Sequence, residues 1–221
     1  MKGVFITGTD TGIGKTYFTL ACIHALRSAG LKVAAMKPVA SGAELVDGQL
    51  RNEDALQILK ALDQVVDYEL INPYCFRPPV SPHIAAAELG VEIDVLKIKN
   101  SCQLLSENSD YTLVEGVGGW LAPLSDSLTV ADLAKALELP IIMVVALRLG
   151  CLNHAMLTAQ SIKRSGLKLA GWVANWVEPE LDALENQIDY LSKQFSMPPI
   201  ARMGWQSPAR IELSKLPELK E

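Results

Sequence analysis

Nine consecutive residues, Gly8-Thr9-Asp10-Thr11-Gly12-Ile13-Gly14-Lys15-Thr16, stand between a short apolar run and a longer amphipathic one. A glycine-rich turn of this kind aims successive backbone N–H groups and the start of a helix at an anion. Its last residues set the chemistry. Lys15 is placed to reach the outer phosphates of a nucleotide, and the Thr16 hydroxyl to ligate Mg²⁺. The strict spacing G-x-x-x-x-G-K-[ST] is not met, because Thr9 stands where its first glycine belongs and Gly8 lies one residue earlier. The turn therefore falls in a variant class of phosphate loops. Taken out of its strand-to-helix setting, it would be a tight turn before a helix with an exposed lysine.

Mg²⁺ prefers six oxygens, with one or two carboxylates beside phosphate and water. Asp54 and Glu115 are the candidates. Asp54 follows Arg51-Asn52 at the start of a predicted helix, where an acid is also favoured by the macrodipole alone. Glu115 follows an apolar strand and precedes Gly116-Val117-Gly118-Gly119. Lys37 closes a second apolar run and opens Lys37-Pro38-Val39-Ala40-Ser41-Gly42. A cation there can offset charge developing in phosphoryl transfer, or simply snorkel from a sheet edge. Ser41 can hydrogen-bond a substrate or complete the turn. Gly150-Cys151-Leu152-Asn153 offers N–H groups at a helix start, suited to a carboxylate as well as a phosphate, with Asn153 as a candidate cap. The histidines, His24, His83 and His154, form no spacing that suggests nucleophilic acyl transfer.

The elements around these residues alternate. Predicted strands cover Gly3–Thr7, Lys32–Met36, Tyr111–Val114, Ile141–Leu147, Leu169–Ala174 and Pro199–Met203. Predicted helices cover Thr16–Ala29, Asn52–Leu62, Thr129–Leu137, Asn153–Ser165 and Glu180–Gln194. The strands are nearly continuous apolar runs, the pattern of a parallel sheet covered on both faces. The expectation is a P-loop NTPase-type doubly wound α/β fold, mostly parallel, with helices on both faces and one domain over residues 1–221. Ligands of such sheets bind at the carboxyl ends of the strands, and the candidate residues all follow strands. The chain has 221 residues, 49% of them hydrophobic, which excludes a disordered polymer. Twenty basic against 25 acidic residues give −5, so no nucleic-acid partner is expected. Cys22, Cys75, Cys102 and Cys151 form no CxxC, which suits free thiols in a reducing compartment. With no long apolar run, no membrane partner is expected, and the localisation read from the sequence is cytoplasmic.

Taken together, GTDTGIGKT (8–16), KPVASG (37–42), RNEDA (51–55), NPY (72–74) with SPH (81–83), VEGVGGW (114–120), PLSD (123–126), GCLNHAMLTAQ (150–160) and AGWVAN (170–175) resemble the dethiobiotin synthetase family. The resemblance covers residues 8 to 175 in order and is weaker from about residue 178 onward. It implies a homodimer that joins CO₂ to 7,8-diaminononanoate at the expense of MgATP, through a carbamate and its phosphorylated form, in biotin biosynthesis. It implies Lys37, Lys15 and Thr11 as catalytic. It implies nucleotide contacts from Gly12, Ile13, Gly14, Lys15, Thr16, Tyr17, Asp54, Glu115, Gly116, Val117, Gly118, Asn175, Gly204 and Trp205. Mg²⁺ would be held by Thr16, Asp54 and Glu115. Ser41, Ser81, Arg148, Gly150, Cys151, Leu152 and Asn153 would contact the diamine, the last group holding its tail carboxylate across the dimer interface. Arg148 stands where a close relative would carry lysine, which keeps the charge and changes the donor geometry. Trp176 stands where an acid is often found. A rival reading, a partitioning-type ATPase, is disfavoured because Asp10 occupies the place of that class's signature lysine.

Overall fold

A computed structural model describes residues 1–178, 183–205, 209 and 211–219. β1 (Gly3–Gly8) runs through the phosphate loop into α1 (Lys15–Ser28), and β2 (Val33–Met36) follows. A long excursion then carries β3 (Val39–Ser41), β4 (Glu44–Val46), β5 (Gln49–Arg51), α2 (Glu53–Leu62), α3 (Tyr68–Ile71), β6 (Tyr74–Phe76), α4 (Pro82–Glu88) and α5 (Val95–Ser106). Regular alternation resumes with β7 (Tyr111–Glu115), α6 (Val130–Leu137), β8 (Ile141–Leu147), α7 (Cys151–Arg164), β9 (Leu169–Trp176), α8 (Leu184–Phe195) and β10 (Ala201–Met203).

The main sheet has the order β10-β9-β8-β1-β7-β2, and every neighbouring pair in it is parallel. The expected doubly wound sheet is therefore present. β8 shows why its strands read as unbroken apolar runs. Ile141, Met143, Val145 and Leu147 pack into one core, and Ile142, Val144 and Ala146 into the other. The first core is closed by α5, α6, α7 and α8, the second by α1 and α2. Burying each large aliphatic side chain is worth roughly 1.5–3 kcal/mol, so the sheet is anchored from both faces. β1 lies inside the sheet with its carboxyl end at the phosphate loop, between the ends of β7 and β8.

Several expected boundaries move. β2 begins at Val33 rather than Lys32 and stops at Met36 as expected, leaving Lys37 one residue beyond the strand, whereas β7 runs one residue further than expected to include Glu115. α7 begins at Cys151, not Asn153. Gly150, at φ 92°, makes the turn out of β8 that a side-chain-capped start would otherwise need, and Asn153 sits exposed inside the helix. The helix expected from Glu180 is observed from Leu184, and residues 179–182 lie outside the described ones. Among the described residues, no helix is long and apolar enough to cross a membrane.

Candidate functional site

A cavity of about 680 Å³ opens at the carboxyl ends of β1, β2 and β7. The phosphate loop lines it from Thr11 to Thr16, and Val117, Gly118 and Gly119 line it after β7. Lys37, Ser41, Asn52 and Asp54 face it from the excursion, with Pro79, Val80, Ser81 and Pro82 forming a less polar wall. Four strand-end segments separated widely in sequence thus meet at one hole, as parallel topology requires.

Glu115 is the hub. It is wholly buried, and its Oε1 accepts from Thr16 Oγ1 at 2.7 Å and from Lys37 Nζ at 2.5 Å. Lys37 Nζ also donates to Asp54 Oδ2 at 2.9 Å. Burial, the largest influence, pulls the Lys37 ammonium toward its neutral form, but Glu115 and Asp54 outweigh it and its pKa stands above the ordinary value. An isolated buried cation would lose its charge; this one keeps it because two acids share it.

The same cluster fits Mg²⁺. Glu115 Oε2 is buried without a hydrogen-bond partner, an acceptor left over for a cation. Among the described residues, no group of three or more His, Cys, Asp or Glu could hold a metal alone. Two carboxylates and a hydroxyl suit an ion that takes its remaining oxygens from phosphate and water. Ser41 Oγ is likewise buried and unpartnered on the cavity side.

Lys15 is buried and donates from Nζ to the Asp10 carbonyl at 2.8 Å. Desolvation by burial and the neighbouring Lys37 ammonium lower its pKa from 10.5 to about 8. Phosphate oxygens arriving beside it favour the charged form, so nucleotide binding must take up protons where the free protein has begun to lose them. At pH 8 the expected uptake on binding ATP is about half a proton per site, falling toward zero at pH 6.5. Calorimetry in buffers of different ionisation enthalpy measures it, and a binding heat independent of buffer at pH 8 would refute this role for Lys15.

The other residues expected from the sequence stand around this centre or away from it. Asn175, at the carboxyl end of β9, donates from Nδ2 to the Ile13 carbonyl at 2.8 Å. It braces the loop beside Gly14, whose φ is 89° and whose missing Cβ would strike the Asn175 amide. Asn175, Gly204 and Trp205 do not line the cavity; β10 pairs Met203 with Asn175, so they flank the loop from the β9–β10 side. Tyr17 turns its side chain away, its hydroxyl accepting from the Ala209 N–H at 3.2 Å. Gly116 is buried against Phe5 and Val130, with Val117 and Gly118 facing the cavity. Ser81 shares a 2.9 Å hydrogen bond with His83 Nδ1. Arg148 pairs with Asp10 Oδ2 at 2.7 Å across the loop, and Gly150, Cys151, Leu152 and Asn153 line no part of this cavity.

The sequence reading missed Asn52, whose side chain caps α2 by accepting from Ala55 N, and Asn72, whose Nδ2 donates to the Lys37 carbonyl. An Asn one residue ahead of an acidic helix start was the available signal for the first. Nothing local pointed from Asn72 to Lys37, which lies 35 residues away.

A family model described as an AAA domain matches residues 2–210. The ATP-dependent dethiobiotin synthetase BioD of Xanthomonas euvesicatoria is 46% identical over 202 residues, 91% of this chain and 90% of its own. The chain belongs to the dethiobiotin synthetase family. A second dethiobiotin synthetase, from Pseudomonas aeruginosa, is 46% identical over 92% of this chain and 90% of its own. Similarity to these dethiobiotin synthetases therefore extends well past residue 178, further than the motifs alone indicate. MinD of Aquifex aeolicus shares the fold, with a TM-score of 0.58 over 93% of this chain and 83% of its own at 16% identity. Dethiobiotin synthetases are ATP-dependent ligases, and the chain is an enzyme of that class with the P-loop fold.

Proposed function

We propose that this enzyme, acting as one nucleotide-binding domain over residues 1–221, makes dethiobiotin from 7,8-diaminononanoate, CO₂ and ATP, releasing ADP and phosphate. The observation that carries the reading is Lys37, held charged between Asp54 and Glu115 in the cavity that the phosphate loop lines.

The chemistry needs an amine to capture CO₂ with loss of a proton. The resulting carbamate oxygen attacks the γ-phosphorus as ADP leaves, and the second amine then closes the ring as phosphate leaves. Carbamate and triphosphate are both anionic, so cations must stand between them. Lys15 and the loop N–H groups hold the phosphates, and Thr11 and Lys37 face the reacting end. Ser41 and Ser81 orient the diamine, with the unpartnered Ser41 hydroxyl free to do so. Mg²⁺ bound through Thr16, Asp54 and Glu115 would neutralise phosphate charge. Holding both amines beside one carbon makes ring closure effectively unimolecular.

Nucleotide contacts would extend to Asn175, Gly204 and Trp205, which flank the loop on the side away from the diamine. The diamine's tail carboxylate would be held by the Gly150–Asn153 helix start of a second copy in a homodimer. That segment lies off its own chain's cavity, and Leu149 beside it is 97% exposed, both of which favour a role toward a partner. Cys22, Cys75, Cys102 and Cys151 are all free, in keeping with a cytoplasmic site of action.

The deciding assay supplies diamine, bicarbonate and MgATP. Phosphate release that requires both other substrates supports the reading; release independent of the diamine overturns it in favour of a switch ATPase.

A further inference from the structure

Three of the cavity's polar side chains, Lys37, Ser41 and Asp54, hang from three backbone pieces: the turn after β2, strand β3 and the start of α2. One buried polar chain joins all three. The Asn52 N–H donates to Tyr68 Oη at 2.8 Å, and Tyr68 Oη donates to Asn72 Oδ1 at 2.9 Å. Asn72 Nδ2 donates in turn to the Lys37 carbonyl at 2.6 Å and to the Tyr74 carbonyl at 3.2 Å. From the other end, Asn52 Nδ2 reaches the Ser41 carbonyl at 3.2 Å, and the Lys37 N–H is held by the Ile71 carbonyl at 2.9 Å. The Arg51 guanidinium sits 4.0 Å over the Tyr68 ring and fixes its plane.

We propose that Tyr68 and Asn72 are positioning residues of the reaction, setting the distance between Lys37 and the Asp54 helix start through one phenol hydroxyl. The geometry demands a neutral phenol, because its oxygen accepts from one element while its hydrogen serves another. The Tyr68 hydroxyl is the link that joins the Asn52 and Asn72 ends of the chain, with Cys75 Sγ a weaker neighbour at 3.8 Å, and the buried bonds hold it in one arrangement. A buried network of this kind locks the rotamers behind a catalytic group. Neither residue lines the cavity, so nucleotide has no contact to lose when they change.

The inference rests on the function proposed above for Lys37. Tyr68→Phe keeps the ring, its packing and the Arg51 contact but removes the hydroxyl's bonds to Asn52 and Asn72, together with its weaker contact to Cys75 Sγ. The expected result is a kcat lowered by roughly 10- to 100-fold, since small misplacements at a reacting centre carry such costs. Nucleotide affinity should stay within about twofold, because the loop is held by other groups. Asn72→Asp, which keeps the shape but cannot donate to the Lys37 carbonyl, should fall in the same range. The double variant should lose little more than the worse single one, as expected for links of one chain. Ile162→Val, a destabilising change in the distant α7 core, serves as control and should leave kcat unaltered.

Lysine-selective ¹³C NMR supplies a readout independent of turnover, with the Lys37 Cε signal assigned by its absence in Lys37→Gln. Tyr68→Phe should move that signal, and Ile162→Val should not. A wild-type enzyme without diamine-dependent phosphate release would sink the function while leaving this signal to decide the positioning. An unmoved Lys37 signal, or a kcat loss matched by an equal loss of nucleotide affinity, would overturn the inference.

Discussion

Lys37→Gln should yield a folded protein that still binds nucleotide and releases phosphate at least ~10³-fold more slowly with diamine and bicarbonate present. The size of the effect follows from where the charge sits. Lys37 is only 4% exposed, and its ammonium is the cation nearest both acids of the cluster. Glutamine keeps part of the length and one donor but none of the charge, so the developing phosphoryl charge loses its counter-ion. Nucleotide affinity should change little, because Lys15, Thr16 and the loop N–H groups remain.

The same substitution strips the wholly buried Glu115 carboxylate of the ammonium that is hydrogen-bonded to it. Removing one member of a buried pair costs about 3–5 kcal/mol in well-isolated cases. Here Asp54 is partly exposed and screened, so the cost should lie toward the lower end, on the order of 3 kcal/mol. A lowered melting temperature together with retained nucleotide binding and lost turnover is the expected set of results. Phosphate release within tenfold of wild type would remove Lys37 from the mechanism.

The two halves of the fold differ in how far local sequence could disclose them. β8 carries its answer in seven consecutive apolar residues, because a strand buried on both faces needs no alternation. The phosphate loop is equally local: turn, donors and helix start are contiguous. The excursion between β2 and β7 is different. Its elements are short, and β3 pairs, among the described residues, with β6 alone, a partner 35 positions later in register. One signal there was readable, since Asp47-Gly48, both at positive φ, joins β4 to β5 as a two-residue hairpin. That hairpin ends at Arg51 and so delivers Asn52 and Asp54 to the cavity.

Side-chain direction was the less legible quantity. Tyr17 directly follows the loop in sequence, yet α1's rotation turns it toward the C-terminal segment. Arg148, which the resemblance assigns to the diamine, is engaged by Asp10 of the phosphate loop. Asn72 and Tyr68 show the limit most clearly. Their value lies in linking carbonyls and N–H groups from distant segments, which no spacing rule encodes. Motif resemblance named Lys37 and Asp54; only the folded chain shows what holds them at 2.9 Å from each other.

Glu115→Gln tests the opposite pole of that cluster. The substitution is isosteric: an amide oxygen can still accept from Thr16 and Lys37, and the strand end need not move. What disappears is the negative charge and the unpartnered Oε2 acceptor, now replaced by an amide donor. If that acceptor serves Mg²⁺, the half-saturating Mg²⁺ concentration for phosphate release should rise on the order of 10- to 100-fold. The maximal rate should fall on the order of 10²-fold. A second consequence concerns Lys37. Burial pulls its pKa down and is now held in check by Glu115 and Asp54 together. With Glu115 neutral, the balance tips toward burial, and the ammonium gives up its proton at a lower pH than in the wild type. The activity of Glu115→Gln should therefore fail earlier on the alkaline side, a shift in the kcat profile toward neutral pH. An unchanged Mg²⁺ requirement with an unchanged profile would mean that Glu115 acts only as a structural partner of Thr16.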